Sequence, residues 1–486
     1  MPSSTPLSPS DLSFWYADQP RQRTTMAMLM LLDRRPDPER LRAAAARAVD
    51  AVPRLRQRVV DAPFGIALPR WEDDATFDLD FHVRHYSLAE GTAPPSAAPG
   101  DLDALFHTTG PIYERPFDRT RPLWELIEIE RPGGLAAVFF RLHHAVADGV
   151  GGNTILAALT DASREAEPEP PVSSKPPGPW PEPHPVDEMV RGLRDRVAQD
   201  AERARAVAGA LWRAAREPAS LVRAGRTLGA LAADLGQRGS ASPLRDFGRA
   251  RRLSGIELPL EPLREAKRAL GGQMIDLMLT AVADAVGAWH RAHGMGHVEE
   301  LVTLVPINLR PPGDQGLSAG LGNRATGVLV RLPLGVRDPL RRFREIHRRV
   351  DARKRHPSAQ LLPVLAGALA ALPRPLYRAL AYQSSKAIDL IVTNVPGVPV
   401  PRYLAGAEIT GAYPFAPVAP HCPVSIALYG YCGRLFVGLD ADATSFPDLD
   451  PFRARLAESF AAVVEAAQAR AGRAARPRKR PHAPAR

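Results

Sequence analysis

The run Arg141-Leu142-His143-His144-Ala145-Val146-Ala147-Asp148-Gly149 decides how this chain folds and where its chemistry sits. Upstream, Gly134 to Leu142 is apolar, with Val138, Phe139 and Phe140 at its centre, which is the pattern of a buried strand. Downstream comes a turn signal, Asp148-Gly149, then Gly151-Gly152-Asn153 and a helical spacing of Ile155, Leu156 and Leu159. Two adjacent histidines therefore fall where a strand gives way to a loop, where side chains are held firmly yet can face a cavity. Successive strand residues point to opposite faces, so only one imidazole can face a given channel and the other must be satisfied behind it. An imidazole that is partly neutral near pH 7 can take a proton from a hydroxyl or a thiol. Asp148, four residues on, can fold back to orient a ring, or can hold the loop by pairing with an arginine. Gly149 is expected to supply a tight turn at little steric cost. The plain alternative is a structural histidine pair at a strand end.

This HHxxxDG block resembles the active-site motif of the CoA-dependent acyltransferase superfamily, which includes chloramphenicol acetyltransferase and the condensation domains of peptide synthetases. Further blocks narrow the resemblance to the bacterial wax ester synthase/diacylglycerol acyltransferase family. They are Leu7-Ser8-Pro9-Ser10-Asp11 with Phe14 and Trp15; Arg121-Pro122-Leu123-Trp124-Glu125; Val305-Pro306-Ile307-Asn308-Leu309-Arg310; Gly322-Asn323; and Thr393-Asn394-Val395-Pro396-Gly397, in that order. The resemblance spans about residues 5 to 470. It implies an α/β fold of two chloramphenicol-acetyltransferase-like units with mixed sheets and an active-site channel between them. It also implies acyl-CoA as donor, diacylglycerol or a long-chain alcohol as acceptor, and neither a metal nor a redox cofactor.

In that frame His144 is the candidate general base and His143 its support. Asp148 fixes the turn through an arginine, with Arg56 and Arg310 both open as partners. A donor to the tetrahedral oxyanion is required, and Thr393, Asn394, Asn308, Asn323 and Asp276 are the candidates, each also readable as a turn or cap residue. Trp124 reads more readily as core than as site. One departure from the family pattern stands out. Where the family has an Asn-Asp pair at a helix start, this chain has Ile275-Asp276, so an amide expected to reach the channel is replaced by an apolar group. Asp276 can still favour the helix N-terminus. Two rival functions stay open: a superfamily acyltransferase with another acceptor or a carrier-protein donor, and a catalytically weak relative that binds lipid.

With 486 residues and 45% hydrophobic content, the chain has ample core for two units. Residues 1–163 read as the first unit, carrying the motif, and 164–187 as a linker dense in proline and glutamate. Residues 188–252 read as a basic helical segment, 253–470 as the second unit, and 471–486 as a basic tail without structure. Helices are expected at Pro38–Val52, Leu361–Leu372 and Asp450–Ala471. Strands are expected around Phe77–Val83, Trp124–Glu130, Ala387–Val395, Val424–Tyr431 and Leu435–Leu439, the last two forming a hairpin through Gly433. No uncharged apolar run is long enough to span a bilayer, and the N-terminus lacks the features of a secretory signal. Cys422 and Cys432 make no metal spacing and are expected to be thiols.

The net charge of +10 is uneven. Residues 191–252 hold fourteen arginines against six acidic residues, and residues 470–486 hold seven basic residues and none acidic. Such surfaces suit anionic partners. No recognition motif accompanies the charge, so a specific nucleic-acid partner is not expected. With Leu193, Val197 and Trp212 in the helical segment, the expected partner is an anionic membrane or lipid-droplet surface, and the expected location is cytoplasmic and peripheral, at the inner face of the plasma membrane or at droplets.

Overall fold

The computed structural model describes residues 4–20, 22–61, 68–87, 102–166, 248–308, 325–355, 372, 374–447 and 449–475, together with separate positions between 190 and 242. The described strands are β1 (Ser4–Pro6), β2 (Thr25–Leu32), β3 (Gln57–Val60), β4 (Arg70–Asp73), β5 (Val83–Ser87), β6 (Trp124–Arg131), β7 (Leu135–His143), β8 (Arg251–Pro259), β9 (Glu300–Asn308), β10 (Ala325–Pro333), β11 (Leu390–Val398), β12 (Tyr403–Leu404), β13 (Ala407–Phe415), β14 (Val424–Tyr431) and β15 (Arg434–Asp442). The described helices are α1 (Pro9–Ala17), α2 (Pro38–Ala51), α3 (Leu79–His82), α4 (Leu102–Glu114), α5 (Gly149–Leu159), α6 (Leu260–Leu270), α7 (Met274–Ala292), α8 (Pro339–Arg355), α9 (Arg374–Ser385) and α10 (Leu449–Ala475).

Two six-stranded mixed sheets carry the molecule. The first runs β12-β13-β2-β7-β6-β5, the second β10-β9-β11-β14-β15-β8, and a small sheet, β1-β4-β3, flanks them. β7 sits inside the first sheet, antiparallel to β2 on one side and to β6 on the other. Its run from Ala136 to His143 is buried on both faces, which is why its sequence is continuously apolar and does not alternate. The exception is Arg141, fully buried at the motif's start. Its Nε donates to Glu125 Oε2 at 2.9 Å, and its Nη1 donates to the carbonyls of Ile112 at 2.8 Å and Arg115 at 2.6 Å. Burial draws the Arg141 guanidinium below its usual range. Burial alone would raise the Glu125 carboxyl, but Arg141 and Arg115 outweigh it and hold that carboxyl low. The strand end is thus tied to α4 and β6 before the histidines are reached.

The second half contributes two strands, β12 and β13, to the first sheet. β13 belongs to the second half by sequence, yet it pairs antiparallel with β2, Phe415 opposite Ala27 and Tyr413 opposite Leu29. Asp33 and Glu408 lock this register through a backbone bond, Asp33 N to Glu408 O at 3.0 Å, and a side-chain bond, Glu408 N to Asp33 Oδ1 at 2.8 Å. Arg164 binds both carboxylates. β13 also crosses β15 so closely that a Cβ at Gly438 would lie 1.7 Å from the Pro414 carbonyl oxygen. Residues 403–415 therefore complete the first sheet, although the sequence reading assigns them to the second unit. β8 opens that unit at Arg251, and α10 runs on to Ala475.

Several local expectations shift. Phe77–Val83 is not a strand: Asp78 accepts from Asp80 N at 3.0 Å and caps the short helix α3, and extended chain begins at Val83. The hairpin β14–β15 turns through Cys432 and Gly433, at φ 46° and 77°, and both cysteines are free. Residues 361–371 of the expected apolar helix, the tail beyond Ala475 and most of 167–247 lie outside the described residues. At the positions that are described there, Leu193, Val197 and Trp212 are exposed. Among the described residues no single helix is long and apolar enough to cross a membrane.

The contact at Gly438 gives a direct check on the crossing of β13 into the first sheet. No rotamer relieves a clash with backbone, so Gly438→Ala is expected to lower stability by roughly 3 kcal/mol or to prevent folding. A melting temperature equal to that of the wild type would contradict the crossing.

Candidate active site

The motif leaves β7 at His143 and enters α5 at Gly149, and three interactions fix the intervening turn. His144 N donates to Thr24 O at 2.7 Å, Val146 N donates to His143 O at 2.9 Å, and Asp148 accepts from Gly151 N at 2.8 Å through Oδ1. Asp148 is thus the N-cap of α5, where its charge also meets the positive end of the helix dipole. The expected partner Arg56 does not serve it; its Nε lies 3.7 Å from Asp73. Arg310 lies outside the described residues. Gly149 is not a left-handed turn residue. Its lack of a side chain matters for packing instead, since a Cβ there would lie 2.9 Å from Val395 Cγ2. That contact brings α5 against β11 of the other sheet.

The two histidines face opposite ways. His143 is 2% exposed. Its Nδ1 accepts from Ala145 N at 3.1 Å, which places the ring proton on Nε2, and Nε2 donates to Thr24 Oγ1 at 2.8 Å. Burial pulls His143 down to about 4, against a weaker opposing effect of Asp18. It is a neutral, fully bonded strut. His144 points to the other side, lies flat on Phe14 with ring centroids 3.7 Å apart, and lines a cavity of about 200 Å³.

That cavity lies between the two sheets. The first sheet contributes Met26, Met28, Phe140 and Phe415, and the second contributes Leu304, Ile391, Thr393 and Val395. Polar groups on its wall are few: His144, Asp148, Asn153 and Thr393. Asn153 of α5 donates Nδ2 to the Pro396 carbonyl at 2.6 Å, bridging the two halves. An apolar cavity with one imidazole and a few donors suits a hydrocarbon substrate whose reacting end must be placed at a base. Among the described residues, no group of three or more His, Cys, Asp or Glu is placed to hold a metal ion.

The remaining candidates separate by position. Thr393 lines the cavity, whereas Asn394, next along β11, is exposed on the other face. Asp276 is away from the cavity. It forms a capping box with Gln273 at the start of α7 and accepts from His347 Nδ1 at 2.8 Å. Ile275 packs against the second core and is not among the cavity-lining residues, so it forms no part of this cavity's wall. The side chain of Asn308 and all of Asn323 lie outside the described residues. Trp124 is core, donating Nε1 to Leu55 O at 2.7 Å. Thr24, Asn153 and the role of Phe14 escape a reading of the chain, because each depends on long-range pairing that no local pattern announces.

Two mixed sheets with a histidine-bearing channel between them define the chloramphenicol-acetyltransferase-like class of acyltransferases. Residues 7–278 match the wax ester synthase/diacylglycerol acyltransferase catalytic domain and residues 321–463 the WS/DGAT C-terminal domain; the chain belongs to this family and is an acyltransferase. A Mycobacterium tuberculosis protein named as a diacylglycerol O-acyltransferase is 33% identical over 455 residues, covering 91% of this chain and 88% of its own. A second, from the same species and named likewise, is 27% identical over 444 residues, covering 88% of each chain. Among solved structures, the wax ester synthase/diacylglycerol acyltransferase from Marinobacter aquaeolei VT8 superposes with a TM-score of 0.62 at 19% identity, over 96% of this chain and 100% of that one. The starter condensation domain of rhizomide synthetase, in complex with C8-CoA and Leu-SNAC, superposes at 0.58 and 15% identity, over 96% of this chain and 94% of that one.

The depressed His143 gives a pH test. Its ordinary value is 6.5 and its folded value about 4. Between these the unfolded chain binds the extra proton, so stability falls as pH drops from about 6.5 towards 4. In denaturant titrations across that window, wild type should lose stability more steeply than His143→Gln, and the difference cancels other groups. Parallel curves would contradict a neutral, buried His143.

Proposed function

We propose that this protein moves a long-chain acyl group from acyl-CoA to the hydroxyl of diacylglycerol or a long-chain alcohol, giving triacylglycerol or wax ester. The observation that carries this reading is the placement of His144 on the wall of an apolar cavity assembled from both halves. The names of the sequence relatives support the same acceptor class. The same fold accommodates C8-CoA in a condensation domain, which fits an acyl-CoA donor.

In this mechanism His144 takes the acceptor's hydroxyl proton as its oxygen attacks the thioester carbonyl. A free alkoxide is far too basic near pH 7, so proton removal accompanies attack. The C–O bond forms, the carbonyl oxygen becomes an oxyanion, and Thr393 is the cavity-wall hydroxyl suited to bond it. The C–S bond then breaks, and the imidazolium returns its proton to the departing CoA sulfur. No covalent acyl-enzyme is needed. His143 holds the turn and Asp148 caps α5, so both act on His144 through the backbone.

The acceptors are insoluble, so the enzyme works at an interface. We place it in the cytoplasm, peripherally bound to anionic membrane or lipid droplets through its basic segments, with the exposed Leu193, Val197 and Trp212 as apolar contacts.

Release of CoA thiol, measured with hexadecanol, dioleoylglycerol or an acyl-carrier protein present, separates this reading from its rivals. His144→Ala should lower turnover by at least ~10² with an unchanged melting temperature. Near-normal release would defeat the assignment of the base. Deleting residues 476–486, past the end of α10, should weaken binding to anionic vesicles at low salt and spare activity on detergent-dispersed substrate, because each basic residue near such a surface adds about 1 kcal/mol and salt screens it. Full-length protein that ignores those vesicles would defeat the interfacial reading.

A further inference from the structure

Helix α1 brings two consecutive aromatic rings to two consecutive imidazoles. Phe14 lies on His144 with ring planes 11° from parallel, and Trp15 meets His143 edge-on at 5.8 Å. The helix is held on several sides. Ser8 caps it by accepting from Asp11 N at 3.1 Å, and Trp15 Nε1 donates to Asp61 Oδ1 at 3.0 Å. The Arg119 guanidinium sits 4.0 Å over the Trp15 ring, and Arg378 of α9 donates to Tyr16 O at 3.0 Å. Phe14 is therefore presented to the imidazole by a fixed helix and not by a loop.

We propose that Phe14 is the positioning residue of the base: its ring closes one face of His144 to water, fixes the imidazole plane, and stabilises the imidazolium formed as the acceptor is deprotonated. This rests on the reading of His144 as the base. The physical argument has two parts. Parallel stacked rings at this spacing restrict the imidazole to one orientation, leaving its edge for proton transfer. An aromatic face also attracts a cation placed over it, an interaction present only after the ring has taken its proton. Binding that strengthens during the reaction raises kcat and leaves substrate affinity largely alone.

The Phe14 contact is distinct from the ionisable groups described near the two histidines. Asp148 shares the cavity wall with His144, and Asp18, Arg119 and Arg23 act on the neighbouring His143 ring.

Three variants test the proposal. Phe14→Leu keeps an apolar cover but removes the aromatic face, Phe14→Tyr keeps the ring, and pentafluorophenylalanine at position 14 keeps the shape while reversing the charge of the face. Thiol release gives kcat and KM, and melting reports the fold. The titration of His144 is followed by NMR in histidine-labelled protein, its resonance assigned by loss in His144→Gln. Phe14→Leu should lower kcat by roughly 3- to 30-fold with KM little changed. It should also move the His144 midpoint down by roughly half to one and a half units, since an interaction favouring the protonated ring is lost. Phe14→Tyr should restore both, and the fluorinated ring should lower the midpoint without unfolding the protein. An unmoved midpoint in the leucine or fluorinated protein, or an unchanged kcat in Phe14→Leu, overturns the proposal. The midpoint is read on the protein alone. Absence of acyl transfer to every lipid would thus defeat the proposed function, while the stacking claim would still be decided by the resonance.

Discussion

The neutral imidazole of His143, held between the Ala145 amide and the Thr24 hydroxyl, is the contact on which the site depends. Those two bonds use both ring nitrogens, so the ring has one tautomer and no capacity for proton traffic. They also connect the end of β7 to the residue that precedes β2. With His143 bound on one side of the chain, the alternation of the backbone sends His144 to the other side, towards the cavity. A base placed by a strand end and a capped helix is held more closely than one on a free loop. Leaving a donor or acceptor of His143 unpaired in this dry interior would cost about 1–3 kcal/mol, comparable with the free energy that separates a working site from a loose one.

The cavity exists because the halves are not independent. β13 extends the first sheet, and the segment that follows it, Ala416 and Pro417, lines the cavity beside residues of both sheets. Gly438 and Gly149 permit the two close approaches that this requires, one against the Pro414 carbonyl and one against Val395. The bond from Asn153 to Pro396 closes the seam. This strand contribution makes relative motion of the halves costly, since sliding them would break ladder hydrogen bonds as well as apolar contacts.

Much of this was legible in the chain, and the division between legible and hidden follows sequence range. The strand, turn and helix around His143 to Gly149 are short-range signals: an apolar run, an Asp-Gly turn and an apolar period; that Asp148 caps the helix was not among them. The second-half hairpin through Gly433 was legible for the same reason. Strand phase was not: Thr393 and Asn394 are adjacent and equally polar, and only the register of β11 decides that Thr393 meets the cavity while Asn394 meets solvent. Asp276 was drawn in by its place in a family motif, yet it spends its carboxylate on a capping box and on His347. Thr24 and Phe14 carry no local signature, because their meaning depends on which strand lies beside β7 and which helix lies over its end.

The proposed reaction requires the acceptor hydroxyl to reach His144 inside the cavity between the sheets. A crystal structure with a non-transferable thioether analogue of acyl-CoA and a long-chain alcohol tests it most directly. The alcohol's alkyl chain is expected against Met28, Phe140 and Ile391, and its hydroxyl within about 3 Å of the His144 imidazole. An alcohol bound elsewhere, with His144 covered by protein and remote from both substrates, would contradict it.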